Sequence, residues 1–516
     1  MYLKLLRVIQ SLTNIAATLN LEEHANMLKH ADICHSFIHG KYISTAGEQE
    51  IRPNYFPATN QIINHIAYSN ESEIAQAVQS AKKAFSLWSR LTVHQRSAIL
   101  IKAAMLLRSR VTELARLEVL DTGKPISEAL SVDVISAAES LEYFAKVAIG
   151  LHDSVMPYPQ ALIYTQREPL GVCVGIGAWN YPLQIACWKA APALIMGNTM
   201  IFKPSELTPQ TALKLAEIFI EAGMPAGVFN VVLGDGNTAQ QLLAQEGISK
   251  ISFTGSIPTG KKILRQAAEH IIPVTLELGG KSPLIIFDDA DLSQAVIGSI
   301  FANFYTQGEI CSNGTRVFVS RSIYERYLEM LQDRVGKLKI GDPLDLQTQI
   351  GALISPAHLQ KVMSFIESGK NEGAELICGG KKPDNNRLAS GNFLMPTIFT
   401  RCSDSMTIVK EEIFGPIMSV LQFDDEEEVL YRANQTHYGL AAGLFTNDIK
   451  RGHRIAKQLQ AGVCWINNYN VTPVSMPFGG TKQSGFGREN GMSALLNYSQ
   501  QKSIYVELGE IEHSYQ

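Results

Sequence analysis

The sequence predicts an α/β protein built on parallel sheets covered by helices on both faces, and three observations lead there. The chain has 516 residues, too many for one hydrophobic core, so two or three domains are expected. Its composition, 46% hydrophobic and 18% charged, is that of a globular protein. From residue 166 onward, apolar runs alternate with helical patterns, the order of βαβ units whose strands are buried on both faces.

Taken in order, residues 1–35 read as a helical extension or an overlong start. Lys4 and Arg7 precede apolar residues, but Gln10, Ser11, Thr13 and Asn14 break the run, and a signal peptide needs a more continuous apolar core. No stretch is long and apolar enough to span a bilayer, so no membrane partner is expected. Residues 73–122 carry helical periodicity (Ile74, Ala77, Val78, Ala81, Trp88, Leu100, Leu107), which Gly123-Lys124-Pro125 stops. Ala161-Leu162-Ile163-Tyr164-Thr165-Gln166 reads as a strand outside the main series.

Gly171-Val172-Cys173-Val174-Gly175-Ile176 reads as a buried strand, followed by an alanine-rich helix and the strand Asn198-Thr199-Met200-Ile201-Phe202-Lys203. A helix over 208–222, a strand over 228–233 and a short strand over 251–253 continue the alternation. A second series of the same kind runs from 282 to about 467, and the two meet near 277–282. Lys502-Ser503-Ile504-Tyr505-Val506 is a last strand outside the sheets. Exposed strand edges invite pairing with another chain, so a homo-oligomer is expected.

A net charge of −4, spread without large blocks, gives no footprint for nucleic acid and points to a small-molecule substrate. The seven cysteines are odd in number, scattered and free of C-x-x-C pairs, which argues against a disulfide framework or a zinc site and suits a reducing, cytoplasmic setting. The 12 histidines form no ligand pattern, so no metal is assigned.

Chemistry concentrates at two places. Cys311, in Gln307-Gly308-Glu309-Ile310-Cys311, is a thiol after a small-residue turn with no partner cysteine nearby. A thiolate is the strongest ordinary nucleophile, and covalent catalysis needs one beside a base. Glu277, in Leu276-Glu277-Leu278-Gly279-Gly280-Lys281, is the candidate base. The two would face one another across the boundary between the series, where active sites commonly lie.

Two glycine motifs bear on nucleotide binding. Gly234-Asp235-Gly236-Asn237-Thr238-Ala239 fits G-x-G-x-x-[GA], but 251–258 lacks the acid that would hold a ribose, so an ordinary connection is expected. Gly255-Ser256-Ile257-Pro258-Thr259-Gly260-Lys261-Lys262 misses the P-loop pattern by its final hydroxyl, which makes a nucleotide hydrolase a distant alternative. Its N–H groups at a helix start suit a diphosphate. Phe202-Lys203-Pro204-Ser205-Glu206 could grip the hydroxyls of an adenosine ribose, or could be a solvated strand end with a capping serine.

Taken together, Gly177-Ala178-Trp179-Asn180-Tyr181-Pro182, Phe202-Lys203-Pro204-Ser205-Glu206, Phe253-Thr254-Gly255-Ser256, the segments around Glu277 and Cys311, Glu411-Glu412-Ile413-Phe414-Gly415-Pro416 and Pro477-Phe478-Gly479-Gly480 resemble the aldehyde dehydrogenase superfamily. The resemblance spans about 37–506 and is closest to betaine aldehyde and 4-trimethylaminobutyraldehyde dehydrogenases. It implies a Rossmann-like NAD-binding domain (36–150 and 172–280), an α/β catalytic domain (281–480) and a small β oligomerisation or bridging element (151–171 and 481–516), assembled as a homodimer or homotetramer.

The resemblance further implies that Cys311 attacks an aldehyde, that Asn180 and the Cys311 backbone N–H stabilise the oxyanion, and that Glu277 activates water to release a thioester. Gly177, Ala178, Trp179, Lys203, Ser205, Glu206, Gly255, Ser256, Thr259, Gly279, Glu412 and Phe414 would hold NAD, with Lys203 and Glu206 on the adenosine ribose. Because Glu206 would repel a 2′-phosphate, NAD is expected over NADP. Lys189 and Glu489 match a proton relay of some relatives, and equally an ordinary ion pair joining two domains. Tyr181, Trp188, Tyr305 and Phe478 would line the substrate funnel, which suits a trimethylammonium aldehyde; a broad-specificity aminoaldehyde or aliphatic aldehyde dehydrogenase is the alternative. Some relatives hold potassium near the domain boundary, for which the sequence shows no ligand cluster.

Overall fold

The computed structural model describes residues 33–43 and 50–511. The helical extension expected before residue 33 lies outside them. Residues 33 and 34, within the expected extension, form the strand Ile33–Cys34, paired parallel to Gln61–Ala67 in a three-stranded sheet completed by Ile51–Phe56.

The first large sheet has eight strands. Five run parallel at its centre, in the order Val274–Glu277, Ile248–Thr254, Val172–Ile176, Thr199–Lys203 and Phe229–Val231. Phe37–Ile38 and Lys41–Tyr42 extend one edge antiparallel, and Gly485–Phe486 closes the other. The parallel strands are almost wholly buried, as expected where helices cover both faces.

Local chemistry sets these elements. Asn70 and Glu73 form a capping box at the start of Glu71–Trp88, whose stripe Ile74, Ala77, Val78, Ala81, Ala84 and Trp88 is buried. Pro182 opens Pro182–Ile195, where its missing N–H costs no helical bond, and this helix is buried along its whole length. Gly234–Ala239 is indeed a connection: Asp235 caps the helix Gly236–Leu243 by accepting from the N–H groups of Asn237 and Thr238.

The second large sheet has seven strands, in the order Glu375–Cys378, Thr397–Thr400, Ile417–Phe423, Arg316–Ser320, Pro283–Ile286, Ala441–Phe445 and Val463–Ile466. All neighbours are parallel except the first pair. The strands predicted near Tyr164 and Tyr505 pair antiparallel with each other along nine residue pairs, with Val155–Tyr158 on the far side. This small sheet is open: Val155 is 66% exposed, Tyr158 64% and Tyr505 60%. No helix among the described residues is long and apolar enough to cross a membrane.

Candidate active site

Register brings the predicted residues together. Ile176 pairs with Lys203 on one side and Phe253 on the other, and Thr254 pairs with Glu277. Glu277, Thr254, Ile176 and Lys203 therefore end four successive strands of the sheet, with Gly177 and Gly255 just beyond, along the carboxyl edge where doubly wound sheets bind ligands. Gly279 and Gly280 lead from that edge into Pro283–Ile286 of the second sheet. There Cys311 and Glu412 lie in loops before Arg316–Ser320 and Ile417–Phe423. The site thus sits where the carboxyl edge of one sheet meets the amino edge of the other.

Gly280 shows how tight this junction is. A Cβ built on it would lie 2.7 Å from the carbonyl oxygen of Cys311, so only glycine lets the segment of Glu277 pass the loop of the thiol. Cys311 is half-buried and packs against an apolar cluster that holds Trp188 and Phe478. Burial raises its thiol, with the charges of Glu412 and Glu277 adding, while the N–H groups of Cys311 and Ser312 pull the other way. The thiol therefore feels the charge of both carboxylates, while backbone donors at Cys311 and Ser312 suit a developing anion. The Asn180 side chain gives one N–H to the carbonyl of Glu309 at 2.8 Å, leaving its second for a ligand.

Glu277 is buried, and neither carboxylate oxygen has a hydrogen-bond partner among the described residues. Burial raises it well above the usual carboxylate range, with the Glu489 charge adding and Lys189 and Arg488 opposing. An unpartnered buried carboxyl is costly, and such groups cluster at functional sites. Lys189, inside its buried helix, bonds Glu489 and donates to Ser252 Oγ at 3.0 Å, and Ser252 donates to Glu489 at 3.0 Å. The Lys189 ammonium thus bonds Glu489 and acts on Glu277 through its charge alone, with Ser252 as a third member that the sequence did not signal.

The residues expected to hold a cofactor fall into three groups. Lys203 lies 3.8 Å from Glu206, whose side chain is 41% exposed, and burial lowers the Lys203 ammonium. Ser205 is buried and accepts from the Leu207 N–H. Ser256 and Thr259 are exposed at the start of Ile257–Ala268, their hydroxyls 3.0 Å apart, and Gly255 donates to the Glu277 carbonyl. Glu412 lies against Gly279, accepts from the Gly280 N–H at 3.1 Å and is pushed up to about 7 by burial. Phe414 and Trp179 meet edge to face at 5.1 Å, while Gly177 donates to the Lys203 carbonyl and Ala178 stays partly exposed. A helix N-terminus with exposed hydroxyls, on the same sheet edge as the Lys203–Glu206 pair, fits a dinucleotide.

Of the four aromatic residues expected to line the funnel, Trp188 and Phe478 belong to the cluster against which Cys311 packs. Trp188 and Phe478 pack edge to face at 5.6 Å, and Tyr305 lies tilted on Phe301 at 4.6 Å. Tyr181 bonds Thr306 at 2.7 Å and carries the Lys124 ammonium 3.8 Å from its ring centre. Sequence reasoning missed Trp465 and Tyr469, whose rings meet at a tilt, 4.7 Å apart; Tyr469 donates to the Ser312 carbonyl at 2.9 Å. It also missed Glu309, whose buried carboxyl accepts from Gln307 and from the Ile354 N–H.

With this geometry in view, comparison with known proteins is decisive. The aldehyde dehydrogenase family pattern matches residues 42–504. The chain belongs to the aldehyde dehydrogenase family. Within that family it is 53% identical, over 93% of its length and 99% of the relative's, to betaine aldehyde dehydrogenase of Vibrio vulnificus strain YJ016. The betaine aldehyde dehydrogenase of Brucella anthropi is 53% identical over 90% of this chain and 95% of its own. Among solved aldehyde dehydrogenases, an indole-3-acetaldehyde dehydrogenase complexed with NAD+ superposes with a TM-score of 0.92 at 39% identity, covering 95% of this chain and all of that one. A betaine aldehyde dehydrogenase of Staphylococcus aureus, in complex with NAD+ and with a BME-modified cysteine, gives 0.90 at 36% identity over 93% and 99%. The α/β architecture expected from the sequence is therefore the aldehyde dehydrogenase fold.

Proposed function

We propose that this protein oxidises betaine aldehyde, or a close quaternary-ammonium aldehyde, to its carboxylate with NAD+. The similarity to betaine aldehyde dehydrogenases along nearly the whole chain carries this reading. The aromatic wall of Trp188 and Phe478 beside Cys311 supports it, because a quaternary ammonium donates no hydrogen bond and is selected by ring faces.

In this reading the Cys311 thiolate adds to the carbonyl carbon, and the free Asn180 N–H and the Cys311 N–H hold the oxyanion. NAD+, when bound, supplies the acceptor for the hydride that leaves that carbon, and a Cys311 thioester remains. Glu277 takes a proton from water as its oxygen attacks the thioester, expelling the thiolate and leaving the carboxylic acid, which gives its own proton to solvent as it departs. Lys189 and Glu489, bridged by Ser252, carry the Glu277 proton away. Ser256, Thr259 and Gly255 would hold the pyrophosphate, Lys203 and Glu206 the adenosine ribose, and Glu412, Phe414 and Trp179 the nicotinamide end.

The test of substrate is NADH formation from betaine aldehyde, 4-trimethylaminobutyraldehyde and a plain aliphatic aldehyde. The quaternary substrates should lead in kcat/KM by roughly 10- to 30-fold, the equivalent of ~1.4–2 kcal/mol of desolvated cation–π contact. Equal values for all three would sink the quaternary-ammonium reading in favour of a broad-specificity enzyme. The cofactor preference rests on Glu206, whose charge accepts from ribose hydroxyls and repels a 2′-phosphate. Glu206→Ala should lower the NAD+ to NADP+ ratio of kcat/KM by about tenfold or more, and an unchanged ratio would remove Glu206 from that role.

The exposed apolar strand Val155–Tyr158, open along one side, supports assembly of two or four copies through the small sheet.

A further inference from the structure

Beneath the site lies a buried polar group that the mechanism does not use. The chain leaves the helix Val111–Thr122 through Gly123-Lys124-Pro125 and enters a short helical turn, Ile126–Glu128, that continues as a π-turn over Ala129–Asp133. Such turns are rare and recur at functional sites. This one buries Lys124, Glu128 and Asp133 together, with Lys124 paired to Asp133 and its ammonium over the Tyr181 ring.

Glu128 reaches across 178 positions of sequence to Thr306. Its carboxylate accepts the Thr306 N–H at 3.1 and 3.2 Å and the Thr306 hydroxyl at 2.8 Å. Burial pushes Glu128 up to about 8, and in its ionised form it takes the hydrogen of that hydroxyl, so that the Tyr181 hydroxyl donates to Thr306. The protonation of Glu128 thus sets the direction of the chain of donors.

Thr306 also begins a strained run. Thr306, Gln307 and Gly308 have φ of 49°, 42° and 81°, three successive residues in the left-handed region immediately before the loop of Cys311. For Thr and Gln that conformation costs on the order of 1 kcal/mol each and persists only where surrounding bonds impose it. Glu128 holds the first of the three at its backbone, and the Glu309 carboxyl holds the second through its side chain.

We infer that Glu128 is a positioning residue that acts through Thr306 in two directions: through the N–H it fixes the left-handed loop that aims Cys311, and through the hydroxyl it fixes Tyr181. The inference rests on Cys311 as the nucleophile and Tyr181 as funnel lining. The two arms are separable, because Thr306→Val deletes the hydroxyl and keeps the backbone bond.

The test follows two readouts in the full-length protein: the rate of Cys311 alkylation by iodoacetamide, read by peptide mass, and the split of kcat from KM. Glu128→Ala should slow both alkylation and the acylation burst by on the order of 10- to 100-fold, the scale of a misplaced reacting group. Glu128→Gln, which keeps an acceptor oxygen, should recover part of that loss, whereas Glu128→Leu should not. Thr306→Val should leave alkylation within about twofold of wild type while raising KM several-fold, since only the Tyr181 arm is cut. A lowered Tm in Glu128→Ala with both rates unchanged would reduce Glu128 to a stability role and overturn the inference, as would equal behaviour of the Gln and Leu variants. Should Glu128→Ala fail to fold, the Gln, Leu and Thr306→Val comparisons decide. Alkylation reports the loop whether or not Cys311 attacks aldehydes, so failure of the nucleophile assignment shows separately, as activity surviving Cys311→Ala.

Discussion

Cys311→Ala should abolish NADH formation, by on the order of 10⁴-fold or more in kcat, while leaving the fold and dinucleotide binding intact. The size follows from the step removed: without the sulfur no covalent adduct forms, and loss of a nucleophile from a concerted set of groups leaves only what binding and oxyanion stabilisation provide. The fold should survive because Cys311 is half-buried in a loop and forms no disulfide. The other cysteines provide the contrast. Cys173 and Cys187 are buried, and burial alone dominates the upward shift of each thiol. Only Cys311 has its thiol raised by both Glu277 and Glu412 while its own N–H and that of Ser312 oppose the rise. Steady-state rates, Tm and NAD+ binding by fluorescence check the prediction together. Turnover within tenfold of wild type in the alanine variant would remove Cys311 from the chemistry.

Glu277→Gln should separate the two halves of the reaction. In the proposed mechanism Glu277 acts on the water of the second half-reaction and not on the thiol, so a stoichiometric burst of NADH should remain. Steady-state turnover should fall by on the order of 10² to 10⁴, the usual contribution of a positioned general base. The same residue sets the pH dependence. A base acts in its ionised form, and burial with the Glu489 charge holds Glu277 protonated above the normal carboxylate range. Steady-state kcat should therefore rise with pH through the raised value and then level off, and Glu277→Gln should flatten that limb. Lys189 opposes the shift, so Lys189→Met should move the limb to higher pH. A burst lost along with turnover would place Glu277 in acylation instead.

The fold class was legible because buried parallel strands write themselves as apolar runs: Val172–Ile176 and Thr199–Lys203 were read close to their observed bounds. The C-terminal strand was legible in kind, and its partner around Tyr164 was found, because both hold short runs of β-branched and aromatic residues, Ile163-Tyr164-Thr165 and Ile504-Tyr505-Val506. Gly485–Phe486 was not legible as a strand, since two residues carry no period and only the unpaired edge at Glu277 calls for them. In the site, Cys311, Glu277, Asn180 and the Lys203–Glu206 pair stand in contiguous motifs. Glu128, Ser252 and Tyr469 do not, for each matters through bonds to residues more than sixty positions away. Gly123-Lys124-Pro125 was readable only as a helix stop, because nothing in its neighbourhood shows that Lys124 ends on an aromatic ring.

The strand Gly485–Phe486 also imposes an order in time. Glu277 ends the strand it closes, so the edge beside the base stays bare until a segment 208 residues further on has been made. At ~5–20 residues per second, translation leaves that edge open for roughly 10 to 40 seconds. During that interval the nascent chain presents unpaired N–H and C=O groups beside Glu277, with Lys189 still lacking Glu489. That distant segment thus acts as a clasp: the base's side of the site is finished only after every strand of the second sheet has been made.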